Sequence, residues 1–455
     1  GLIISIAAEA EQLDAIAHIS DVSWIENLVL REKYSKFAGG SLSGASDANA
    51  AGYDGSTQTV AVADTGIGDG TVAGAHAEIE PARIKAIYDW PAVSSLLCFD
   101  AFPNGAADVD TGHGTHTSGS AVATGDGTGE GRGTAPAASL VFQAVEDYVE
   151  MYGLCSDTPS GYYLLGLPAD LRDLYSQAYS EGARIHSNSW GANVNGAYTT
   201  DSQNTDDFIW NNPDISITFS SGNAGVDGNA NGIVDEQSVG APATAKNVIA
   251  VGASENDRLG DYPCDTDLSY TDCSTSGGQN QIPSYGESWP AQFPAPPLST
   301  DSMVGDPEQL AGFSSRGPAA DGRIKPDVVA PGTWILSLYS DLYQQEYDAQ
   351  FNPKTGGWQY DGWGNPASEL HKYMGGTSMS NALIAGGAAL VRDYYQKARI
   401  HDASAALVKA TLINSAEDLL DENNDGVYDN AFPIPNNHEG WGRVNLATAT
   451  DGSRQ

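Results

Sequence analysis

The chain has 455 residues, 40% of them hydrophobic, which is enough for one large domain or two ordinary ones with a sizeable buried core. Asp and Glu total 59 against 21 Lys and Arg, and the resulting net charge of −38 argues against nucleic acid as a partner because its phosphates would be repelled. No stretch has the apolar length of a membrane span, so we expect a soluble protein with no membrane partner. We interpret the acid excess as a solvated surface that also supplies metal ligands.

The first 58 residues predict a small unit followed by a connecting arm. Residues 1–34 have the pattern of a strand, a helix and a second strand, with apolar runs at 2–6 and 24–30 around a stretch of helix formers. The composition then changes to Gly, Ser, Ala and Asn, which is typical of a linker or a loosely wrapped arm. We therefore predict a first segment at 1–34, a linker and N-terminal arm at 35–58, and a larger domain at 59–455.

From residue 59 onward, short β-branched runs alternate with helical patterns. Strands are predicted at 59–64, 139–145, 184–189, 215–220 and 248–251, and helices at 169–181 and 378–398. This alternation predicts an α/β fold, a parallel sheet with helices on both faces. In such sheets the active site lies beyond the carboxyl ends of the strands, where Asp64, Ser189 and Asn223 fall. Residues 257–307 are rich in Pro, Ser and Asp and are predicted to form an inserted surface loop.

The four cysteines are Cys98, Cys155, Cys264 and Cys273. No two of them form a Cys-x-x-Cys pair, so neither a zinc site nor a thioredoxin-like motif is supported. Four cysteines allow three pairings. The short separation of Cys264 and Cys273 favours a disulfide between them, which leaves Cys98 to pair with Cys155; the alternative is four reduced thiols.

Three motifs place chemically useful side chains beside glycine. Residues 60–66 read Val-Ala-Val-Ala-Asp-Thr-Gly, residues 112–116 read Gly-His-Gly-Thr-His, and residues 375–380 read Gly-Gly-Thr-Ser-Met-Ser. A serine hydroxyl is a weak nucleophile until a base such as imidazole removes its proton, and a buried carboxylate holds that imidazole in the right tautomer. We therefore predict a catalytic triad of Asp64, His113 and Ser378. A helix beginning at Ser378 would also aim backbone N–H groups at the reacting carbonyl.

The order Asp, His, Ser in these motifs resembles the subtilisin-like serine proteases, the subtilase family. Further matching blocks are Asn-Ser-Trp-Gly (188–191), Ser-Ser-Gly-Asn (220–223), Phe-Ser-Ser-Arg-Gly-Pro (313–318), Lys-Pro-Asp-Val-Val-Ala-Pro-Gly (325–332) and Gly-Trp-Gly-Arg-Val-Asn (440–445). Residues 178–186 and 198–202 are most similar to the oxidatively stable alkaline protease branch. The resemblance implies a subtilisin-like doubly wound sheet and peptide-bond hydrolysis through an acyl-enzyme. It also makes His113 the base and His116 a packed structural residue.

The resemblance assigns residues to the substrate as well. Asn223 is expected to hydrogen-bond the oxyanion together with the backbone N–H of Ser378. The segments that flank the family's specificity pocket correspond to Ser189, Trp190, Gly191, Ser220, Ser221 and Gly222. Backbone pairing with an extended peptide implies broad specificity. The chain departs from the family at 380–382, where Ser-Asn-Ala replaces Ala-Thr-Pro and removes a rigid proline from the first helical turn.

By the same resemblance, residues 1–34 correspond to the C-terminal half of a propeptide, a small α+β segment in front of the catalytic domain. Such a segment assists folding and acts as an intramolecular inhibitor of the zymogen until the chain is cut, here between Leu30 and Gly39. The resemblance further implies secretion to the extracellular space, protein and peptide substrates, and a monomer.

Two acidic loops have the spacing of calcium ligands. Alternating side-chain oxygens, a glycine at the sharp turn and a backbone carbonyl form the oxygen cage that a hard cation needs. The candidate ligands are Asp227, Asn229, Asn231, Ile233, Asp235 and Glu236 in the first loop, and Asp421, Asn423, Asp425, Val427 and Asp429 in the second. Ser238 and Phe432 stand where an EF-hand has its bidentate glutamate, so the loops are EF-hand-like, and the alternative is two acidic surface turns. We expect structural Ca²⁺ and no catalytic cofactor.

The main prediction is therefore a secreted serine endopeptidase of broad specificity with an Asp-His-Ser triad. One alternative is a processing protease of narrow specificity, which cleavage profiling on a peptide library would distinguish. The other is a catalytically silent calcium-binding surface protein on a subtilase scaffold, which serine-directed labelling at Ser378 would exclude.

Overall fold

The structure is a computed structural model that describes residues 43–126, 129, 131–257, 284–340, 342 and 367–453. The predicted segment at 1–34 and the predicted disulfide between Cys264 and Cys273 lie outside the described residues. In the part of the chain that is described, no helix is long and apolar enough to cross a membrane.

The secondary structure of the described residues alternates between strands and helices. The strands are β1 (Thr59–Asp64), β2 (Ile84–Asp89), β3 (Phe99–Phe102), β4 (Ser139–Ala144), β5 (Asp147–Met151), β6 (Gly161–Tyr163), β7 (Ile185–Asn188), β8 (Ser216–Ser220), β9 (Ile249–Ser254), β10 (Val328–Pro331), β11 (Ile335–Leu338) and β12 (His371–Met374). The α-helices are α1 (Ala45–Ala50), α2 (His113–Val122), α3 (Leu171–Ser180), α4 (Thr200–Asn211), α5 (Tyr285–Ser288), α6 (Thr377–Arg399), α7 (Ala405–Ser415) and α8 (Leu446–Thr450).

A seven-stranded sheet with the order β10-β9-β8-β7-β1-β4-β2 forms the centre of the domain. Every neighbouring pair in it is parallel, which confirms the predicted α/β class. The chain first builds β1, β4 and β2 to one side and then adds β7 to β10 on the other. The order of the strands therefore reverses at β1, which opens a crevice beyond its carboxyl end, where ligands bind in open α/β sheets.

Helices cover both faces of this sheet, as predicted. Successive side chains of a strand point to opposite faces, so alternate residues of β1 enter different cores. Val60 and Val62 pack into the cluster that contains α2 and α6, whereas Ala61 packs against Ala178 of α3. Because all six residues of β1 are buried, the strand needs small or β-branched side chains on both faces.

Two smaller antiparallel sheets flank the central one. Strands β11 and β12 form a pair just before α6, and β3, β5 and β6 form a three-stranded sheet beyond β4. Cys98 and Cys155 are joined by a disulfide next to the ends of β3 and β5, with their Cα atoms 4.8 Å apart. The predicted pairing of these two cysteines is confirmed.

One sequence-based expectation is wrong for the residues that can be checked. Residues 284–307 were expected to be part of a surface loop, yet they contribute α5 and a small core of their own. Tyr285, Phe293 and Leu298 are almost fully buried there. Their spacing matches neither a helix nor a strand, because irregular turns bring them together, so periodicity could not reveal this core.

Candidate active site

The carboxyl ends of four adjacent strands bring together the residues of the candidate active site. Asp64 is the last residue of β1, and Ser189 directly follows β7. Glu146 lies two residues beyond β4, and Asn223 lies three residues beyond β8. Because these strands are parallel and adjacent in the order β4, β1, β7, β8, their ends line one edge of the sheet. The crevice therefore lies beyond the carboxyl ends of the strands, as the sequence predicts.

Asp64 and His113 form a short hydrogen bond. The Nδ1 atom of His113 lies 2.6 Å from Oδ1 of Asp64, whose side chain is only 3% exposed. Oδ1 also accepts from the backbone N–H of Thr65, and Oδ2 accepts from the Thr117 hydroxyl at 3.0 Å. The carboxylate is thus buried with hydrogen bonds to both oxygens, and it fixes the imidazole so that Nε2 is left to act as a base.

A second buried carboxylate holds the start of α2 against β1. Asp108 accepts from the Thr65 hydroxyl at 2.9 Å and from both the hydroxyl and the backbone N–H of Thr115, at 2.6 and 2.8 Å. Burial raises the pKa of Asp108 to about 6, with these hydrogen bonds acting in the opposite direction. Asp108 was not predicted from the sequence, because it lies in a loop with no motif and only the folded structure shows that it is buried.

The two histidines of the Gly-His-Gly-Thr-His motif have opposite electrostatic environments. Burial acts to lower the pKa of His113, but the charge and hydrogen bond of Asp64, together with the charge of Asp108, raise it above the ordinary value of 6.5. Burial lowers the pKa of His116 to about 3. Its Nε2 donates to the backbone carbonyls of Ile335 and Lys372, at 3.1 and 3.0 Å. His116 is therefore a neutral residue that ties α2 to the β11–β12 pair, as expected.

Ser378 lies in the first turn of α6 and faces the end of β7. Its hydroxyl donates to the backbone carbonyl of Ser189 at 3.0 Å, and the Ser189 hydroxyl donates to the Ser378 carbonyl at 2.9 Å. The side chains of Ser378 and His113, both among the described residues, form no hydrogen bond with each other in this conformation. To act as a nucleophile with His113, the Ser378 hydroxyl would have to turn from Ser189 toward the imidazole; catalytic hydrogen bonds often form only when substrate is present.

Asn223 is held with its amide group next to the start of α6. Its Oδ1 accepts from the backbone N–H and the hydroxyl of Thr377, both at 2.9 Å, which leaves Nδ2 as its free donor end. A Cβ atom built on Gly376, where φ is 140°, would lie 3.3 Å from Asn223 Nδ2 and 3.8 Å from the Ser378 nitrogen. Both nitrogen atoms therefore lie close to the space that a side chain at residue 376 would occupy.

A cavity of about 310 Å³ lies beside His113. It is lined by Asp64, Thr65, Thr111, His113, Glu146, Leu164, Ser189, Trp190 and Met374. The indole N–H of Trp190 donates to the carbonyl of Ala63 at 3.0 Å, and its ring packs edge-on against Phe219. These contacts fix the Trp190 ring as a rigid wall, so the cavity is preformed.

The predicted substrate residues are in two different positions. Ser189 and Trp190 line the cavity, and Gly191 follows them at the surface. Ser220 ends β8, and both backbone groups of Ser221 are used inside the fold, its N–H by Val251 and its carbonyl by Gly240. The carbonyl of Gly222 likewise accepts from Ser315. The second segment thus supports the backbone under Asn223, and the first borders the cavity.

The two candidate calcium loops share one backbone conformation. Asp227 and Asp421 each accept hydrogen bonds from the backbone N–H groups four and five residues further on, at 2.9–3.1 Å. The fourth and sixth residues of both loops have positive φ: Ala230 (58°), Gly232 (83°), Asn424 (65°) and Gly426 (75°). The loops are far apart in sequence, so the shared spacing of Asp, Asn and Gly determines this conformation.

Side chains of these loops also contact one another. Nδ2 of Asn229 donates to Asp235 at 2.6 Å, and Nδ2 of Asn423 donates to Asp425 at 3.0 Å. Of the remaining candidates, Asn231 accepts a hydrogen bond from the backbone N–H of Ile233 through its side-chain oxygen. A carboxylate oxygen of Glu236 lies 4.0 Å from Nε2 of His438, and Val427 and Asp429 are exposed. Among the described residues, no group of three or more His, Cys, Asp or Glu side chains is arranged to hold a metal ion. Amide and carbonyl oxygens would have to complete either cage.

Comparison with known proteins identifies the family of this chain. The subtilase family matches residues 55–442, most of the chain, and the chain belongs to that family. The chain is 28% identical over 403 residues to the serine protease/ABC transporter B family protein tagD of Dictyostelium discoideum, covering 75% of this chain and 20% of that protein.

Two further relatives are similar over shorter stretches. The protein tagB of Dictyostelium discoideum, also described as a serine protease/ABC transporter B family protein, is 27% identical over 68% of this chain and 17% of its own length. The serine protease AprX of Bacillus subtilis is 38% identical over 86 residues, which is 19% of this chain and 16% of AprX. The chain spans a fifth or less of the length of these relatives.

Proposed function

We propose that this protein is a serine endopeptidase with Ser378 as nucleophile, His113 as general base and acid, and Asp64 as the carboxylate that orients His113. The observation that carries the proposal is the 2.6 Å contact between Asp64 and His113 beside a cavity that also contains Ser189, to which Ser378 is hydrogen-bonded in both directions. These contacts support the proposed roles, because all three side chains border or adjoin one crevice.

The reaction follows from these positions. The Ser378 hydroxyl gives its proton to Nε2 of His113 while its oxygen bonds to the substrate carbonyl carbon. The carbonyl oxygen becomes an oxyanion that accepts hydrogen bonds from Nδ2 of Asn223 and the N–H of Ser378. The imidazolium protonates the leaving amine, the peptide bond breaks, and a water molecule activated by His113 then hydrolyses the acyl-enzyme.

Labelling with a serine-directed phosphonate tests this assignment. We expect one covalent adduct, located at Ser378 by peptide mass mapping and lost in Ser378→Ala. Ser380→Ala is the matched control, because Ser380 is a buried serine on the same helix whose hydroxyl donates to the carbonyl of Pro331. A folded protein that takes up no label, or one labelled equally after Ser378→Ala, would show that the triad is not functional.

We further propose that the enzyme belongs to the alkaline protease branch, that it is a secreted monomer of broad specificity, and that residues 1–34 inhibit it until they are cleaved off. The similarity of residues 178–186 and 198–202 to that branch supports the first point, and the resemblance of residues 1–34 to a propeptide supports the last. N-terminal sequencing of freshly purified wild-type protein and of Ser378→Ala tests self-processing. The wild-type enzyme should begin between residues 31 and 39, whereas only the variant should retain residues 1–34.

Structural calcium is proposed for the two EF-hand-like loops. The backbone conformation that the two loops share supports this proposal. Burial and the charge of Asp425 raise the pKa of Asp421 to about 6, and a bound cation would lower that pKa again. The Ser378→Ala variant, which cannot digest itself, should melt at a lower temperature in excess EGTA and recover with Ca²⁺ but not with Mg²⁺. An identical melting temperature in EGTA and in Ca²⁺ would contradict the proposal.

A further inference from the structure

The cavity beside His113 contains one acidic side chain that the reaction does not use. We propose that Glu146 determines specificity: its carboxylate binds the cationic group of a substrate side chain, so the protease favours Arg or Lys at the position that enters this cavity. This inference rests on the proposed function and names a substrate preference for the same site. Backbone pairing can still accept varied sequences elsewhere along the peptide.

Glu146 is placed in the cavity by the fold. It lies two residues beyond β4, next to β1 in the sheet, and borders the same space as His113, Leu164 and Trp190. Leu164, Trp190 and Met374 give the cavity apolar walls, and an apolar wall with an acidic group beside it can bind the stem of a long side chain and pair with its charged end.

The carboxyl group of Glu146 has no hydrogen-bond partner among the described residues. None of the described residues donates a hydrogen bond to it, whereas its neighbour Asp147 accepts from the backbone N–H groups of Ala92 and Asn104, at 2.6 and 3.1 Å. Asp108 likewise accepts from Thr65 and Thr115. Asp108 and Asp147 therefore have structural partners, and the oxygens of Glu146 are left for a ligand.

The surroundings of Glu146 favour a cation. Burial and the nearby charges of Asp110, Asp108, Asp64 and Asp147 raise the pKa of Glu146 to about 9. A guanidinium group in the cavity would offset this repulsion and supply the hydrogen-bond donors that the carboxylate lacks. The net charge of −38 also attracts cationic peptides before they bind.

Paired substrates that differ only in charge test the proposal. Arg and citrulline, its neutral isostere, are scanned through each position of a fluorogenic peptide on both sides of the scissile bond. At one position the wild-type kcat/KM should be higher for Arg by about tenfold or more, the range of a charge-assisted hydrogen bond. In Glu146→Gln the ratio at that position should fall to near 1, mainly through a lower kcat/KM for Arg.

Glu150→Gln is the matched control. Glu150 lies on β5, is exposed and does not border the cavity, so Glu150→Gln removes a surface charge and leaves the lining of the cavity unchanged. This variant should keep the wild-type Arg preference. Equal loss of the preference in Glu150→Gln and Glu146→Gln would show that only the overall charge matters and would overturn the proposal.

The pH dependence of the ratio gives an independent readout. Below pH 9 the Glu146 carboxyl is mostly protonated in the empty cavity, and a bound guanidinium favours its ionised form, so binding Arg releases a proton. The Arg-to-citrulline ratio should therefore rise between pH 7 and 9. Titration of His113 affects both substrates alike and cancels in the ratio, and Glu146→Gln should show a flat ratio.

The outcomes separate this inference from the proposed function. A protein that cleaves peptides and takes up the phosphonate but shows no Arg preference at any position would overturn the role of Glu146 alone. A protein that neither cleaves nor takes up label overturns both.

Discussion

The candidate active site has two halves that are held in different ways. We call Asp64, His113, Thr65, Asp108, Thr115 and Thr117 the acid–base half, and Ser378, Thr377, Ser189, Asn223 and Asn381 the nucleophile half. In the acid–base half, each oxygen of both carboxylates accepts hydrogen bonds from side chains or backbone of the same half. In the nucleophile half, the reactive hydroxyl donates to the backbone carbonyl of Ser189 instead of the base.

The acid–base half already has its hydrogen bonds in place, whereas in the nucleophile half the Ser378 hydroxyl would have to rotate to reach His113. A hydrogen bond between a hydroxyl and a carbonyl contributes a net of about 1 kcal/mol, so turning Ser378 away from Ser189 is a small cost once His113 Nε2 can accept its proton. Breaking the buried Asp64–His113 pair costs more, because it leaves a buried charge without its partner. Apart from replacement of the nucleophile Ser378 itself, we therefore expect substitutions in the acid–base half to have the larger effect on kcat.

Asp64→Asn should have the largest effect. The amide cannot stabilise the imidazolium and favours the wrong tautomer of His113, so kcat should fall about 10⁴-fold with little change in KM, a magnitude established for serine proteases that include subtilisin, a member of this family. Steady-state kinetics measures it. Asp89→Asn is the control, since Asp89 ends β2 as Asp64 ends β1 but is exposed and outside the cavity. Similar losses in both variants would point to a damaged sheet and not to the triad.

Asn223→Ala should lower kcat by about 10²–10³-fold, the range measured for the oxyanion asparagine of subtilisin. Its Nδ2 and the Ser378 nitrogen both lie close to the space in front of Gly376, and the Ser378 N–H remains in the variant. Thr377→Val removes one of the two hydrogen bonds that orient Asn223 and should give a smaller loss of kcat. An Asn223→Ala variant with wild-type kcat would place the oxyanion elsewhere.

Asn381→Ala tests the residue that marks the departure from the family sequence. Nδ2 of Asn381 donates to the hydroxyls of Ser187 and Ser189, at 3.1 and 3.2 Å, and so connects α6 to the end of β7 one turn after the nucleophile. Losing it should lower kcat roughly tenfold through poorer placement of Ser378, with KM nearly unchanged, and should cost about 1 kcal/mol of stability. Ser380→Ala, which contacts Pro331 instead, is expected to keep the wild-type kcat.

How far the sequence could predict this site depends on the range of the interactions involved. Asp64, His113 and Ser378 each lie in a short motif at an element boundary, so local patterns find them. Asp108 and Glu146 have no motif, and only the pairing of β4 with β1 shows that Glu146 borders the same cavity as His113. An acid soon after a predicted parallel strand was the one available signal for Glu146. The orientation of the Ser378 hydroxyl depends on packing between α6 and β7, which no local pattern encodes.

The smallest expected effect is a shift in the acid limb of the pH–rate profile. This shift distinguishes the contribution of Asp108 to the pKa of His113 from that of Asp64. His113 must be neutral to act as a base, and its pKa is raised, so kcat/KM should decline as the pH falls through a midpoint above 6.5. Asp108 contributes to that raised pKa through its charge, without contacting the ring, so Asp108→Asn should move the midpoint to lower pH. The melting temperature of the variant serves as the control for folding. A midpoint unchanged in Asp108→Asn would mean that Asp64 alone sets the basicity of His113, and that Asp108 only holds the start of α2.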